Sequence, residues 1–429
     1  MSLWLESDFP SSRLRHNFSL RRELPLESDE TITAFRDGEV TLRSARRTDG
    51  FTEAVQETGY QRVLHGDLVV HAMDAFAGAV GVSQASGKCS PVCQVLVPTR
   101  FVDPRYYAYV LREAARAGYL QSLARGIRER STDLRWAQAR NLVVPAPPLA
   151  RQQAITEFLD RERVRIGDAV TSLTCLRSDA KRALDAAAEE RIAGLSADVP
   201  VRKLSWDVTL LGGFAFSSAD FVHDSAAGMR LVRGVNVTPS GLRWDDTVFW
   251  PRHRLPEVER FALREGDLLI GLNRPWVRDG LRAAIVTRSD LPALLLQRVA
   301  CLRPIQGGRL TSSYVRLCIR TSDFRHSVGD ASAVTFPMLE PGRLLAYRVP
   351  VPALDTQHAL VREFEARASV VDALDREIKE LTDGLDAYFQ GLVFESLTGG
   401  LNVGAVSDAQ MVESLSAVRE GERPEVLSS

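Results

Sequence analysis

Long apolar runs are missing from this sequence. None approaches 18 residues, which excludes a membrane-spanning helix. The opening "MSLWLESDFPSSRLRHN" has acids early and no apolar stretch of the kind a secretory signal needs, so a cytoplasmic chain is expected. Cysteine is scarce. The five residues stand at 89, 93, 175, 301 and 318, and no second Cys or His pair follows Cys89 and Cys93 at zinc spacing. They read as reduced, mostly buried thiols. The 7 histidines are dispersed, with no HExxH. Also missing are the phosphate-cradling G-x-x-x-x-G-K-[ST], the dinucleotide G-x-G-x-x-G and the G-x-S-x-G nucleophile elbow. A nuclease-like E-x-K does occur at Glu377 and Lys379, below Asp372 and Asp375. It falls in a heptad-patterned helix, where residues i and i+2 diverge and cannot converge on one metal. No catalytic residue and no metal ligand is assigned.

What is present is enough chain for two to four domains, at 429 residues and 45% hydrophobic content. The formal net charge of -1 conceals a segregation: residues 200–350 carry +7 and residues 351–429 carry −9. Nucleic acid favours the former and is repelled by the latter. Nearly all the basic residues are arginine, whose planar fork suits bidentate contact with phosphate and guanine.

The chain is internally repeated. "VPAPPLARQQAITEFLD" begins at Val144, and "VPVPALDTQHALVREFE" begins 205 residues later at Val349. Pro145, Pro147, Leu149 and Gln152 match Pro350, Pro352, Leu354 and Gln357. Upstream, "DFPSSRL" at 8–14 matches "DVPVRKL" at 198–204, and "HGDLVV" at 65–70 matches "EGDLLI" at 265–270. Chance accounts for any one such pair but not for several in the same order.

Each copy opens with a mixed region. Short strands are expected in "GDLVVHAMDAFAGAVGVS" and "CQVLVPT", and in "GDLLIGLNRPWVRDGLRAAIV" and "RVACLRP". Helices are expected in "DPRYYAYVLREAARAGYLQSLA" and "TSSYVRLCIRTSDFRHSV". Each copy closes with a long helix entered through prolines. Ile166, Ala169, Leu173, Leu176, Ala180, Ala183 and Ala187 form one heptad seam; Leu374, Ile378, Leu381, Leu385, Tyr388 and Leu392 form the other. Small residues in one seam against large ones in the other favour pairing of the two helices, antiparallel by expectation. At 1.5 Å per residue each helix is about 60 Å long, enough to hold two lobes apart.

The predicted fold class is therefore α+β: two mixed α/β regions in tandem repeat, each followed by a long helix, the helices pairing as an antiparallel coiled coil with pseudo-two-fold symmetry. The expected division is 1–150, helix 151–197, 198–354, helix 355–398, and a flexible tail 399–429.

With these motifs in hand, the chain resembles the specificity subunit of Type I restriction–modification systems over about residues 8–398. The carriers are "PAPPLARQQAITEFLD" with its repeat, the "GDLVV"/"GDLLI" pair, and the order domain, helix, domain, helix. The second copy departs from the first at His358, where the first has Gln153, and at "EFE" 363–365 against "FLD" 158–160. The resemblance implies two target-recognition domains, each reading half of a split site in double-stranded DNA. It implies two methyltransferase (M) subunits that modify adenine N6 with S-adenosylmethionine, and restriction/translocase (R) subunits that use ATP and Mg. It implies no cofactor in this chain, no catalysis by it and no membrane partner. The Asn-Pro-Pro-aromatic string of amino-methyltransferases is missing.

Candidate DNA-contacting residues lie in loops that combine arginine with small polar groups and glycine. In the first region these are Arg43, Arg46 and Arg47, then Arg125, Arg128, Arg130 and Ser131. In the second they are Arg230, Arg233 and Asn236, then Asn273, Arg274 and Arg278. Arginine and asparagine suit guanine and adenine edges respectively. The competing reading is a two-lobed coiled-coil scaffold that binds protein and not DNA. A further reading, an enzyme on an unfamiliar fold, would require turnover by the chain alone.

Overall fold

The computed structural model describes residues 7–46, 58–123, 134–195, 198–224, 226, 228–277, 280–328, 338–401 and 403 of the chain. Two compact units result, one from residues Met1–Leu173 with Lys379–Ser429 and the other from Thr174–Ile378. This division runs through both long helices and does not set them apart as regions of their own.

The first unit is built on a four-stranded antiparallel sheet in the order Phe18–Leu20, Cys93–Pro98, Leu68–His71, Val80–Val82. The second repeats that sheet strand for strand, as Val208–Gly212, Val299–Pro304, Leu268–Gly271, Ala283–Ile285. The register agrees too: Leu68 faces Leu96 in one sheet and Leu268 faces Leu302 in the other. A second equivalence ties the start of each region to its end. Ser11–Arg13 pairs with Val143–Pro145, and Val201–Lys203 with Arg348–Pro350. The duplication seen in the sequence is thus a duplication of sheet topology. The second copy adds a three-stranded sheet of Phe249–Pro251, Gly228–Val232 and Ala293–Leu295 with a core of its own around Trp250.

The "GD" of each copy is explained locally. Gly66 and Gly266 take positive φ (91° and 84°), a conformation that costs glycine little. The carboxylate that follows closes the turn, with Asp67 accepting from the Leu64 N–H and Asp267 from the Arg264 N–H, both at 2.8 Å. Each aspartate is buried and held by a bidentate arginine, yet the two arginines occupy different strand positions. Arg21 holds Asp67 at 2.7 and 2.8 Å, whereas Arg303 holds Asp267 at 2.7 Å through both nitrogens. By register Arg21 corresponds to Leu211 and Arg303 to Val97. Charge neutralisation of the buried carboxylate was retained while its donor moved across the strand pair.

The Pro-x-Pro-x-Leu-x-x-Gln repeat is a clamp. Gln152 and Gln357 are 2% and 0% exposed. The Gln152 amide donates to Pro147 O at 2.8 Å, and its oxygen accepts from Asp103 N at 2.9 Å, the N-cap of helix Pro104–Arg116. Gln357 donates to Pro352 O at 2.9 Å and accepts from Thr311 N at 3.1 Å, the N-cap of helix Ser312–Cys318. One side chain with a donor and an acceptor thus fastens the strand exit, the long helix and the domain helix together.

The long helices span Leu149–Ala193 and Leu354–Thr398. Within the first unit, Ile155, Phe158 and Leu159 share a core with Tyr388, Leu392 and Leu397, and Arg151 reaches Leu401 O at 2.9 Å. Within the second unit, Ala188 shares a core with Leu360, Arg191 pairs with Glu363 at 2.9 Å, and Asp375 binds both Arg177 and Lys181. Ascending numbers on one helix meet descending numbers on the other in each unit, so the helices pair antiparallel.

The expected seam needs correction at three places. Ile378, Tyr388 and Leu392 are buried, and Ile166, Leu173, Ala180, Leu374 and Leu385 are half-buried. Leu176 and Leu381, however, are 49% and 41% exposed, and Ala183 is exposed as well. A helix of 3.6 residues per turn drifts about 20° per heptad against a 3.5 repeat, so a strict 3-4 spacing leaves the contact face with distance. Leu184 and Ala188 take up the buried positions further along the central helix.

Candidate nucleic-acid interface

The candidate loops of the second unit form one assembly. Hairpin Val237–Thr238/Gly241–Leu242 lies beside hairpin Trp276–Val277/Gly280–Leu281, with a Cβ built on Gly280 only 3.7 Å from the Pro239 ring. Arg282 fastens them: its backbone N–H binds Pro275 O at 2.7 Å, and its guanidinium binds Val237 O at 3.1 Å and also Gly234 O. Arg316, from the domain helix, binds Pro239 O at 3.0 Å. Burial lowers the pKa of both guanidiniums, and neither hydrogen-bonds a carboxylate among the described residues. Two cations thus anchor the backbone carbonyls of one loop, which fixes its shape and places positive charge beneath it.

Asn236 does not serve as a base reader. It is 2% exposed, its oxygen accepts from Arg233 N at 2.9 Å, and its nitrogen donates to Arg243 O at 2.8 Å and Asp246 O at 3.2 Å. Both ends of the amide are spent on closing the loop, so neither can meet an adenine edge. Arg233 is committed as well, to the Asp246 carboxylate at 2.7 Å. Arg230 lies over the Trp244 ring, 5.1 Å from its centroid, and reaches Ser289 O at 3.3 Å. Asn273 is half-buried and its backbone bridges to Met338, while Arg274 is exposed at a φ of 45°.

In the first unit, Arg43 is half-buried with its Nε 3.3 Å from Thr33 Oγ1. Arg46 pairs with Asp37 and with Glu39 (2.9 Å) and stacks over Phe35 at 4.3 Å. The hydrogen bond from Arg46 chiefly lowers the Asp37 pKa. Arg47, Arg125, Arg128, Arg130, Ser131 and Arg278 lie outside the described residues.

Sequence reading missed Arg282 and Arg316. An arginine bound to carbonyl oxygens carries no local signature, and only the fold brings either one under the 234–242 loop. No described helix is long and apolar enough to cross a membrane.

No family model matches the chain. Over 169 residues it is 28% identical to the specificity subunit of the Type I restriction enzyme EcoAI of Escherichia coli, a match covering 39% of this chain and 28% of that protein. Over 317 residues it is 20% identical to the specificity subunit of the Type I restriction enzyme MjaVIII of Methanocaldococcus jannaschii, covering 71% of this chain and 73% of that one. The chain therefore spans little more than a quarter of the first relative's length and nearly three quarters of the second's. Its fold matches a chain from a structure describing complex assembly and conformational transition of the type I R-M system, with a TM-score of 0.68, 15% identity, and coverage of 92% and 98%.

Proposed function

From its kinship with Type I restriction enzyme specificity subunits, we propose that this chain is the DNA-binding specificity subunit of such a system. It reads a bipartite target in double-stranded DNA, one half per duplicated region. It directs two methyltransferase subunits and the restriction subunits to that target. The observation that carries the reading is the strand-for-strand repetition of the sheet, each copy clamped by a buried glutamine to its own long helix. A duplicated reader on paired antiparallel helices presents two equivalent surfaces, as a split target requires. The chemistry resides in the partners: S-adenosylmethionine serves the methyltransferases, ATP and Mg serve the translocase, and this chain needs no cofactor.

In the second region the 234–242 loop and the hairpin strands Trp276–Val277 and Gly280–Leu281 form the reading surface. Arg274 and Arg230 supply contacts, and Arg282 and Arg316 hold the loop ready. Most contacts fall on phosphates, which position the chain, while the fewer base contacts specify sequence. The test is binding to duplex DNA as a function of salt. A DNA reader loses affinity linearly in log–log form, with a slope of about −0.9 per neutralised phosphate. An affinity indifferent to salt and to competing duplex would instead favour a protein-binding scaffold.

A further inference from the structure

The two copies differ at one equivalent arginine. Helix Pro104–Arg116 and the segment from Ser312 share an offset of 208: both N-caps are held by the clamp glutamines, and Tyr106 matches Tyr314, both fully buried. In sequence that offset matches Arg112, inside its helix, with Arg320, two residues past the end of helix Ser312–Cys318. The long helices share an offset of 205, under which buried Ala188 matches Val393 and Asp185 matches Gln390.

In the second unit, Arg320 has its counter-ion, the Asp185 carboxylate at 2.8 Å. In the first unit that carboxylate is the neutral Gln390, which lines a cavity of about 270 Å³ together with Arg112. A second change adds to the first. Arg163 lies close enough to Arg112 to depress its pKa, where the other copy has Ala368. Relative to the second unit, the site has exchanged a carboxylate for Gln390 and gained Arg163, while Asp386, which matches Lys181 at the same offset, acts on Arg116, and Glu113 also lines the cavity.

Arg112 has no bonded counter-ion of its own: Asp37 favours its charge through space, but that carboxylate is bonded by Arg46. Arg116 is taken by Glu113, Arg36 by Asp74, and Arg46 by Asp37. Asp160 is taken by the Tyr109 hydroxyl at 2.8 Å and by Arg105. Among the described residues no acceptor bonds the Arg112 guanidinium. It lies against the Gly38 turn, where a Cβ would come within 2.4 Å of its Nη1, so the turn and the guanidinium are closely fitted. Arg36 and Arg116 also line the cavity, with Phe76 and Phe389 along its apolar wall.

We propose that the first unit binds an oxyanion of the phosphate class at Arg112, occupying the place that Asp185 fills beside Arg320 in the second. The guanidinium supplies parallel N–H donors for two oxygens, and the Gln390 amide supplies a neutral donor beside them.

The test is titration of the full chain with inorganic phosphate by calorimetry at low ionic strength. One phosphate per chain is expected. Arg112→Gln should weaken it at least about tenfold, through loss of the charged donors. Gln390→Asp restores the other copy's ion pair inside a fold already shown to accept it, and should abolish phosphate binding. Adding a short duplex then distinguishes the source. Displacement of phosphate assigns the site to a DNA phosphodiester, and joint occupancy assigns it to the free anion. Failure of the wild-type chain to bind phosphate, or binding unchanged by both substitutions, would overturn the proposal.

Discussion

Arg21→Leu removes the cation from a buried carboxylate while leaving the carboxylate in place. The Arg21 and Asp67 side chains are 9% and 6% exposed and joined by two hydrogen bonds of 2.7 and 2.8 Å. Breaking such a pair from one side costs about 3–5 kcal/mol, because the remaining charge is left without compensation. At about 1.4 kcal/mol per decade, that is a rise of about two to three and a half decades in the equilibrium constant for opening the first sheet, and an equal fall in protection. Hydrogen exchange at the amides of Leu68–His71, at the centre of that sheet, measures it directly. The second unit indicates the cure. It holds its aspartate from the position equivalent to Val97, so Arg21→Leu with Val97→Arg reproduces the Leu211/Arg303 arrangement. The double variant should recover most of the lost protection. Full protection in the single variant, or no recovery in the double, would refute the idea that the pair can be supplied from either strand.

Gln357→Leu deprives Thr311 N and Pro352 O of their partner, which should cost about 1–3 kcal/mol per buried group left unsatisfied and loosen helix Ser312–Cys318 in exchange measurements. Asn236→Ala should speed exchange at Arg233 and Arg243 N–H, whose loop it closes, and weaken binding to all duplexes alike, with no change of sequence preference. Arg274→Ala should reduce the salt slope of DNA binding by about one phosphate. Asp375 is desolvated, which by itself raises its pKa, but Arg177 and Lys181 outweigh this and hold it below the ordinary value of 3.8. Its folded pKa is the depressed one. Its contribution is therefore present above pH 3.8 and disappears as pH falls through the folded value, so acid titration of chemical-shift markers in Thr174–Ile378 should show loosening only in that lower range.

The sequence carries the repeat openly, because the residues that recur are those with local work to do. Glycine takes positive φ before the sheet, aspartate closes that turn, prolines start the helix and glutamine clamps it. The role of Gln152 was not readable, since Asp103, its second partner, lies 49 residues away. The Arg21 and Arg303 pairs are invisible to comparison of the copies, because the two arginines are not equivalent in sequence. The three-stranded sheet around Trp250 joins two strands in parallel, Gly228–Val232 and Ala293–Leu295, across some sixty intervening residues, and short strands so paired leave no alternating pattern. The seam failed at Leu176, Ala183 and Leu381 for a geometric reason: a 3-4 count cannot follow a contact face that a straight helix leaves. Asn236 shows the opposite error. Residue type alone pointed to adenine, while the fold spends the amide on its own backbone.

The central claim is that this chain selects the DNA sequence on which its partners act. The most direct test is a map of N6-methyladenine across the host genome with the gene intact and deleted. The account predicts that methylation at one split motif, two short half-sites around an unread gap, disappears in the deletion and returns on complementation. An unchanged map from a host that expresses the chain together with active methyltransferase partners would contradict it.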